Sequence, residues 1–248
     1  MKKTYFSQRR SIRKFSGKPV EDEMLKSILE EAMKAPTTGN MQLYSVIITR
    51  GEEGRKKLAP LHFSQPAATG APVMLTVCAD LYRFSKWCEL SKADAGFDNM
   101  LSFMSAFADA IIYSQQVVTI AEQNGLGTCY LGTVTYNAPE ISELLELPDM
   151  VVPVACIALG WPDGEGEETE RLPLESVVSE ETYKILPDAE IMNFYKVKED
   201  FTSNRKYVEE NHKDNLAQVF AEVRYPRQMN ETFSEKFIKF LETKGFIK

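Results

Sequence analysis

Gln123–Val134, Q-N-G-L-G-T-C-Y-L-G-T-V, follows a long apolar helix pattern and precedes a second helix start. Its glycines Gly125, Gly127 and Gly132 ask for a backbone that turns sharply or approaches something closely. Gly125 stands just past the end of the helix pattern, a position where glycine is common. Gly132 instead adjoins the apolar run Cys129–Tyr130–Leu131, where a glycine weakens a strand and often marks a close backbone approach. One reading is that peptide N–H groups around Gly132 face a flat ligand. A tight turn with no ligand is the other.

Working outward, Met100–Asn124 reads as one helix, apolar nearly all round in its first half through Phe103, Met104, Phe107, Ile111 and Ile112. Such a helix is central to the core or lies at a subunit interface. On the other side, Asn137-Ala138-Pro139-Glu140 predicts a helix with Asn137 as N-cap, running to Leu147-Pro148. Val151–Leu159 then reads as an apolar strand, and Tyr44–Thr49 and Val73–Ala79 read as two earlier buried ones. A helix opens after Pro19, with Leu25, Ile28, Leu29 and Ala32 as its apolar stripe, and ends at Pro36. Glu52–Leu61 predicts a short surface helix, and Ser91–Asn99 a mobile polar excursion. The last sixty residues are more polar and mostly helical. They finish in an amphipathic helix from Asn230 as N-cap to Gly245, burying Phe233, Phe237, Phe240 and Leu241.

The 248 residues suffice for a full core, and 44% hydrophobic with 26% charged residues is ordinary for a soluble globular chain. A net charge of −7 argues against nucleic acid as the main partner. No apolar run approaches membrane-spanning length, and no signal peptide is indicated. Cys78, Cys88, Cys129 and Cys156 lack C-x-x-C spacing and read as buried, reduced thiols of a cytoplasmic protein. With only His62 and His212, a histidine metal cluster or a histidine-driven triad has little material. Chemistry is expected from something bound.

Arg9–Phe15, R-R-S-I-R-K-F, packs four cations around Ser11, a local exception in an acidic chain. Arginine forks match phosphate oxygens, although a charge run is also an ordinary solvated face. Ala35–Gln42, A-P-T-T-G-N-M-Q, is a loop of hydroxyls and amides suited to turns or to a polar ligand edge. Gln65 stands in an irregular segment as an amide donor and acceptor. Arg171 stands alone before Leu172-Pro173.

In this order and separation, R-R-S-I-R-K-F, A-P-T-T-G-N-M-Q, G-L-G-T-C-Y-L-G, A-L-G-W-P and R-L-P resemble the FMN-dependent nitroreductase family. The closer likeness is to its oxygen-insensitive, NADPH-using flavin reductase branch. The resemblance implies an α+β fold with an antiparallel-rich central sheet wrapped by helices. It also implies an intertwined homodimer with two FMN sites at the interface. Residues 1–248 would form one such domain with a helical C-terminal extension from about 188. Carried over by position, Arg9, Arg10, Ser11 and Arg13 serve the flavin phosphate, with Arg13 nearer the ribityl chain or pyrimidine edge. Thr37, Thr38 and Gly39 form the loop that a partner subunit lays on the flavin, and Gln65 bonds the pyrimidine edge. Tyr130, Leu131, Gly132 and Thr133 face the isoalloxazine, with the Gly132 amide near N5, and Arg171 is a phosphate arginine.

The sequence departs from the family pattern at three places. Arg9 stands where close relatives often carry histidine, Thr133 where they have a second glycine, and Thr169 where a phosphate-binding lysine is common. The implied activity is an NAD(P)H oxidoreductase reducing nitroaromatics, quinones or related acceptors in a ping-pong cycle. A flavin reductase supplying reduced FMN, or a flavin-binding redox sensor without turnover, are the alternatives. For NADPH the cation pairs Arg205-Lys206 and Arg224 with Arg227 compete, and Arg224 and Arg227 are chosen because Tyr225 and Pro226 stiffen the link between them. No metal, nucleic acid or membrane partner is expected.

Overall fold

The computed structural model describes residues 5–247. These form two compact units. One takes in the described residues up to Glu167 together with those from Ser234, and the other is Glu168–Phe233.

In the first unit, α1 (Tyr5–Gln8) is followed by α2 (Asp22–Ala32), β1 (Tyr44–Thr49), α3 (Glu52–Leu58) and α4 (Pro66–Gly70). Then come β2 (Val73–Asp80), α5 (Tyr82–Leu90), α6 (Met100–Gln123), β3 (Gly127–Tyr130), α7 (Ala138–Leu144) and β4 (Val151–Gly160). The strands form one sheet in the order β1-β2-β4-β3, with every neighbouring pair antiparallel. β2 and β4 are central, and every residue of both is buried.

Side-chain alternation sends β2 to two different cores. Val73, Leu75, Val77 and Ala79 pack with Leu25 and Ile28 of α2 and with Phe103, Ala106, Ala110 and Val117 of α6. Met74 goes to the other face, with Leu58, Ala67, Ala68 and Ile141. β4 follows the same logic through a bulge. Val77 pairs with Ala155 and Cys78 with Pro153, which leaves Val154 as the extra residue. The bulge lets Val154 and Ala155, consecutive in sequence, reach the same core, and it accommodates Pro153, which lacks an N–H for a regular central ladder.

Several sequence expectations are corrected here. β1 is a sheet edge rather than a buried strand, with Ile48 exposed. α2 ends at Ala32, before Pro36 is reached, and α7 ends at Leu144 rather than Leu147. Asn137 occupies the N-cap position without capping, because its Nδ2 donates to Leu61 O at 2.7 Å and its Oδ1 accepts from Lys236. Cys88 is only half-buried, while Cys78, Cys129 and Cys156 are buried, and all four are free thiols.

The second unit carries α8 (Asp188–Glu199), α9 (Thr202–Glu210) and a short α10 (Leu216–Gln218) that widens into a π-helical turn over Val219–Arg224. The final helix, α11 (Arg227–Thr243), starts before Asn230, whose Nδ2 donates instead to Tyr225 O at 2.9 Å. Phe240 and Leu241 are buried as expected, whereas Phe233 and Phe237 are only half-buried. Gly245, at φ +86°, ends the helix in the left-handed region.

Candidate functional site

α6 runs under the sheet and delivers the chain to β3. Gly125 adopts φ +84° directly after the helix, so the reversal there depends on glycine. β3 then pairs with β4, and the Leu131 N–H donates to Cys156 O at 2.8 Å. At Gly132 the strand breaks into a 3-10 turn, Gly132–Val134. Gly132 is exposed, and a Cβ built on it meets nothing within 4 Å. Its peptide N–H has no acceptor among the described residues, as expected at the start of a helical turn.

The cation-rich segment lies along the same strand. The Ile12 N–H donates to Thr128 O at 2.9 Å, the Ser16 N–H to Trp161 O at 2.9 Å, and Phe15 forms an antiparallel bridge with Pro162. Two glycines make room for it: a Cβ on Gly127 would meet Ile12 at 2.7 Å, and one on Gly166 would meet Ser11 O at 2.7 Å. This backbone pairing fixes the course of the Arg9–Phe15 segment. The side chains divide, however. Arg9 pairs with the buried carboxylate of Glu122 at 3.1 Å, and Glu122 also accepts from the hydroxyls of Tyr5 and Thr128. Arg10 Nη1 donates to Gly166 O at 3.1 Å and lies 3.5 Å from Glu165. Arg13 is exposed, and the Ser11 hydroxyl has no partner among the described residues.

The loop Thr37–Gln42 is held from two sides. Asp109 of α6, 1% exposed, accepts from the Thr38 N–H at 2.8 Å, the Thr38 hydroxyl at 2.9 Å and the Leu43 N–H at 3.3 Å. Arg83 of α5 donates to Gln42 O at 2.7 Å and Tyr44 O at 3.0 Å. Between these anchors Gly39, Asn40 and Gln42 all take left-handed φ values of +54° to +57°. A loop with two non-glycine residues in that region persists only when its surroundings over-determine it. Sequence alone does not mark Asp109 or Arg83 as site residues. An acid inside an otherwise apolar helix stretch was the available signal.

Gln65 is half-buried at the start of α4, and its side-chain amide has no partner among the described residues. Tyr130 is packed against the larger core, and burial pushes its phenol up to about 12. His62 is fully buried, with Nδ1 2.9 Å from Thr133 Oγ1, a contact that sequence alone does not signal. Burial lowers its pKa to about 4. In the second unit Arg171 bonds Thr169 Oγ1 at 2.7 Å and Glu170 O at 2.8 Å. The Arg224 guanidinium lies 4.8 Å over the Tyr207 ring, and the exposed Arg227 faces Glu231 at 3.6 Å. No group of His, Cys, Asp or Glu able to hold a metal occurs among the described residues.

An antiparallel sheet between helical layers, with a cation-bearing segment laid beside an exposed glycine turn, defines an α+β protein with an anion-friendly, donor-lined sheet edge. The sequence profile of the Nitroreductase family matches residues 6–161, and the chain belongs to that family. An FMN reductase (NAD(P)H) of Bacillus subtilis strain 168 is 38% identical over 176 residues, covering 70% of this chain and 71% of that one. An oxygen-insensitive NADPH nitroreductase of Salmonella typhimurium is 32% identical over 179 residues, covering 72% and 73%. Among solved structures, a Bacteroides fragilis NCTC 9343 protein superposes with a TM-score of 0.96 at 41% identity, covering 98% of this chain and 99% of that one. An NADPH:FMN oxidoreductase of Vibrio harveyi, crystallised with NAD+, gives 0.78 at 25% identity, covering 97% and 96%.

Proposed function

We propose that this chain is an FMN-dependent NAD(P)H oxidoreductase that reduces flat acceptors such as nitroaromatics and quinones. The carrying observation is the Gly132 N–H, without an acceptor among the described residues, on an exposed turn with open space at its Cα, beside the Arg9–Arg13 segment on the same strand. Bound FMN would supply the hydride chemistry, which explains the scarcity of reactive side chains. The chain's own residues position it. Arg10, Arg13 and Ser11 offer donors to the phosphate and ribityl chain, and Gln65 offers its amide to the pyrimidine edge. The turn from Tyr130 to Thr133 supports the ring. Arg171 is a further phosphate candidate, and Arg9 contributes charge partly offset by Glu122.

The family points to a homodimer in which Thr37, Thr38 and Gly39 of one subunit meet the flavin of the other. The exposed apolar side chains Leu101, Met104 and Ile112 of α6 and Leu90 of α5 favour an obligate contact, which would bury above about 2,000 Å². A cytoplasmic location fits the four free thiols.

The visible spectrum of the purified protein tests this reading. A flavin band that bleaches with NADPH, from a cofactor whose released mass is that of FMN, is the expected result. FAD, or no flavin after reconstitution, would overturn it. The relative named as an FMN reductase favours a second reading, supply of reduced FMN to other proteins. Steady-state turnover with free FMN against a nitro compound separates the two.

A further inference from the structure

His62 joins two segments of the candidate site, the one leading to Gln65 and the turn at Gly132. Its backbone is fixed. Asn137 holds Leu61 O, the Gln65 N–H donates to His62 O at 3.3 Å, and Phe63 and Ser64 take consecutive left-handed φ values of +55° and +49°. Its ring is fully buried, with Nδ1 at 2.9 Å from Thr133 Oγ1 and Nε2 without a partner among the described residues.

A neutral imidazole carries one N–H, and burial keeps this ring neutral near pH 7. Were that proton on Nε2, a buried donor would be orphaned. On Nδ1 it has an acceptor in Thr133, and only a lone pair goes unused. Orphaned buried N–H groups are the rarer arrangement, so the Nδ1–H tautomer is the one that fits. A hydroxyl that accepts in this way keeps its own proton for another partner. Among the described residues the Thr133 hydroxyl has none besides His62. It is half-buried beside the exposed Gly132.

We propose that His62 is a positioning residue that sets Thr133 as a hydrogen-bond donor, so that the turn offers the bound ring a side-chain hydroxyl in addition to the Gly132 peptide N–H. The proposal rests on the flavin reading above. It explains what the departure at position 133 does in this chain: a backbone-only turn gains a directed donor.

Two measurements test it. The first needs no flavin. With only His62 and His212 in the chain, imidazole 15N spectra of the purified protein assign each ring's tautomer. Protonation of His62 at Nδ1 is expected, and protonation at Nε2 overturns the proposal. The second uses the flavin-loaded protein and compares its dissociation constants for oxidised and reduced FMN, together with the visible spectrum. Thr133→Val should change the ratio of the two constants about three- to tenfold, the effect of one hydrogen bond. Thr133→Ser should restore it. His62→Leu should give a change of similar size, and the double variant no more than either single one. A ratio and spectrum unchanged in Thr133→Val, with only thermal stability lowered, overturns the proposal while the flavin reading stands. A wild type that holds no FMN overturns both.

Discussion

The buried carboxylate of Asp109 receives two hydrogen bonds from Thr38, one from its backbone N–H at 2.8 Å and one from its hydroxyl at 2.9 Å. A third comes from the Leu43 N–H at 3.3 Å, so one side chain ties Thr38 to Leu43 across the loop. Asp109→Asn keeps the shape but turns an amide N–H₂ toward groups that are themselves donors. Stability should fall by about 1.5–3 kcal/mol in chemical denaturation, the range for hydrogen bonds to a charged group. Ser105→Ala on the same helix, half-buried and bonded through its hydroxyl to Leu101 O, should cost far less, and equal losses would remove the special role of Asp109.

The arginines of the N-terminal segment should separate by function. Arg10→Ala should weaken FMN retention roughly tenfold, the loss of about one charge-assisted hydrogen bond, and the exposed Lys14→Ala hardly at all. Arg9→Ala should instead lower stability by about 3 kcal/mol, because it leaves the buried Glu122 carboxylate with hydroxyl partners only. Flavin titration and denaturation on the same three variants decide this. A larger loss of FMN from Arg9→Ala than from Arg10→Ala would reverse the assignment.

Gly127→Ala probes the same segment through the backbone. The new methyl would meet Ile12 at 2.7 Å, closer than side-chain carbons approach, so the segment must shift off β3. FMN retention should drop with the sheet intact by circular dichroism, whereas Gly51→Ala, with open space around it, should leave retention unchanged.

Much of this was legible in the sequence because the signals are local. The glycine stretch, the apolar central strands and the long α6 are each written in a few consecutive residues. What escaped is written across distance. Asp109 looks like one odd acid until Thr38 and Leu43 fold onto it, and His62 looks like an isolated ring until Thr133 lies beside it. The pairing of Arg9 escaped because Glu122 is more than a hundred residues away in sequence. β1 read as buried from its composition, since an edge position depends on strand order, which alternation does not encode.

His62 should also make stability depend on pH. Its pKa falls from 6.5 to about 4 on folding because burial disfavours the imidazolium. The folded state therefore holds fewer protons than the unfolded one, and this contribution is fully present above about pH 6.5 and lost progressively as the pH falls toward about 4. A shift of that size corresponds to about 3 kcal/mol across the window. Denaturation of wild type and His62→Leu through the window isolates it from the carboxylates, which titrate in both. The two curves should converge toward low pH, and parallel curves would show that the ring does not titrate this way.

The proposed preference for NADPH is tested on cations of the second unit. Arg205 is paired with Asp200 at 2.7 Å and Lys206 with Glu210 at 3.6 Å. Arg224 stacks over Tyr207 without an ion pair among the described residues, and Arg227 is 90% exposed with one partner on the next turn of its own helix. A guanidinium stacked on a ring is held in place yet keeps its N–H edges for an incoming anion. Arg224 and Arg227 are thus the pair we propose for the 2′-phosphate of NADPH. Replacing both with alanine should raise KM for NADPH about tenfold or more, one to two charge-assisted contacts, while KM for NADH and the FMN content stay near wild type. The Arg205→Ala, Lys206→Ala pair should leave all three unchanged. Equal losses with both nucleotides, or a wild type that already favours NADH, would rule this assignment out.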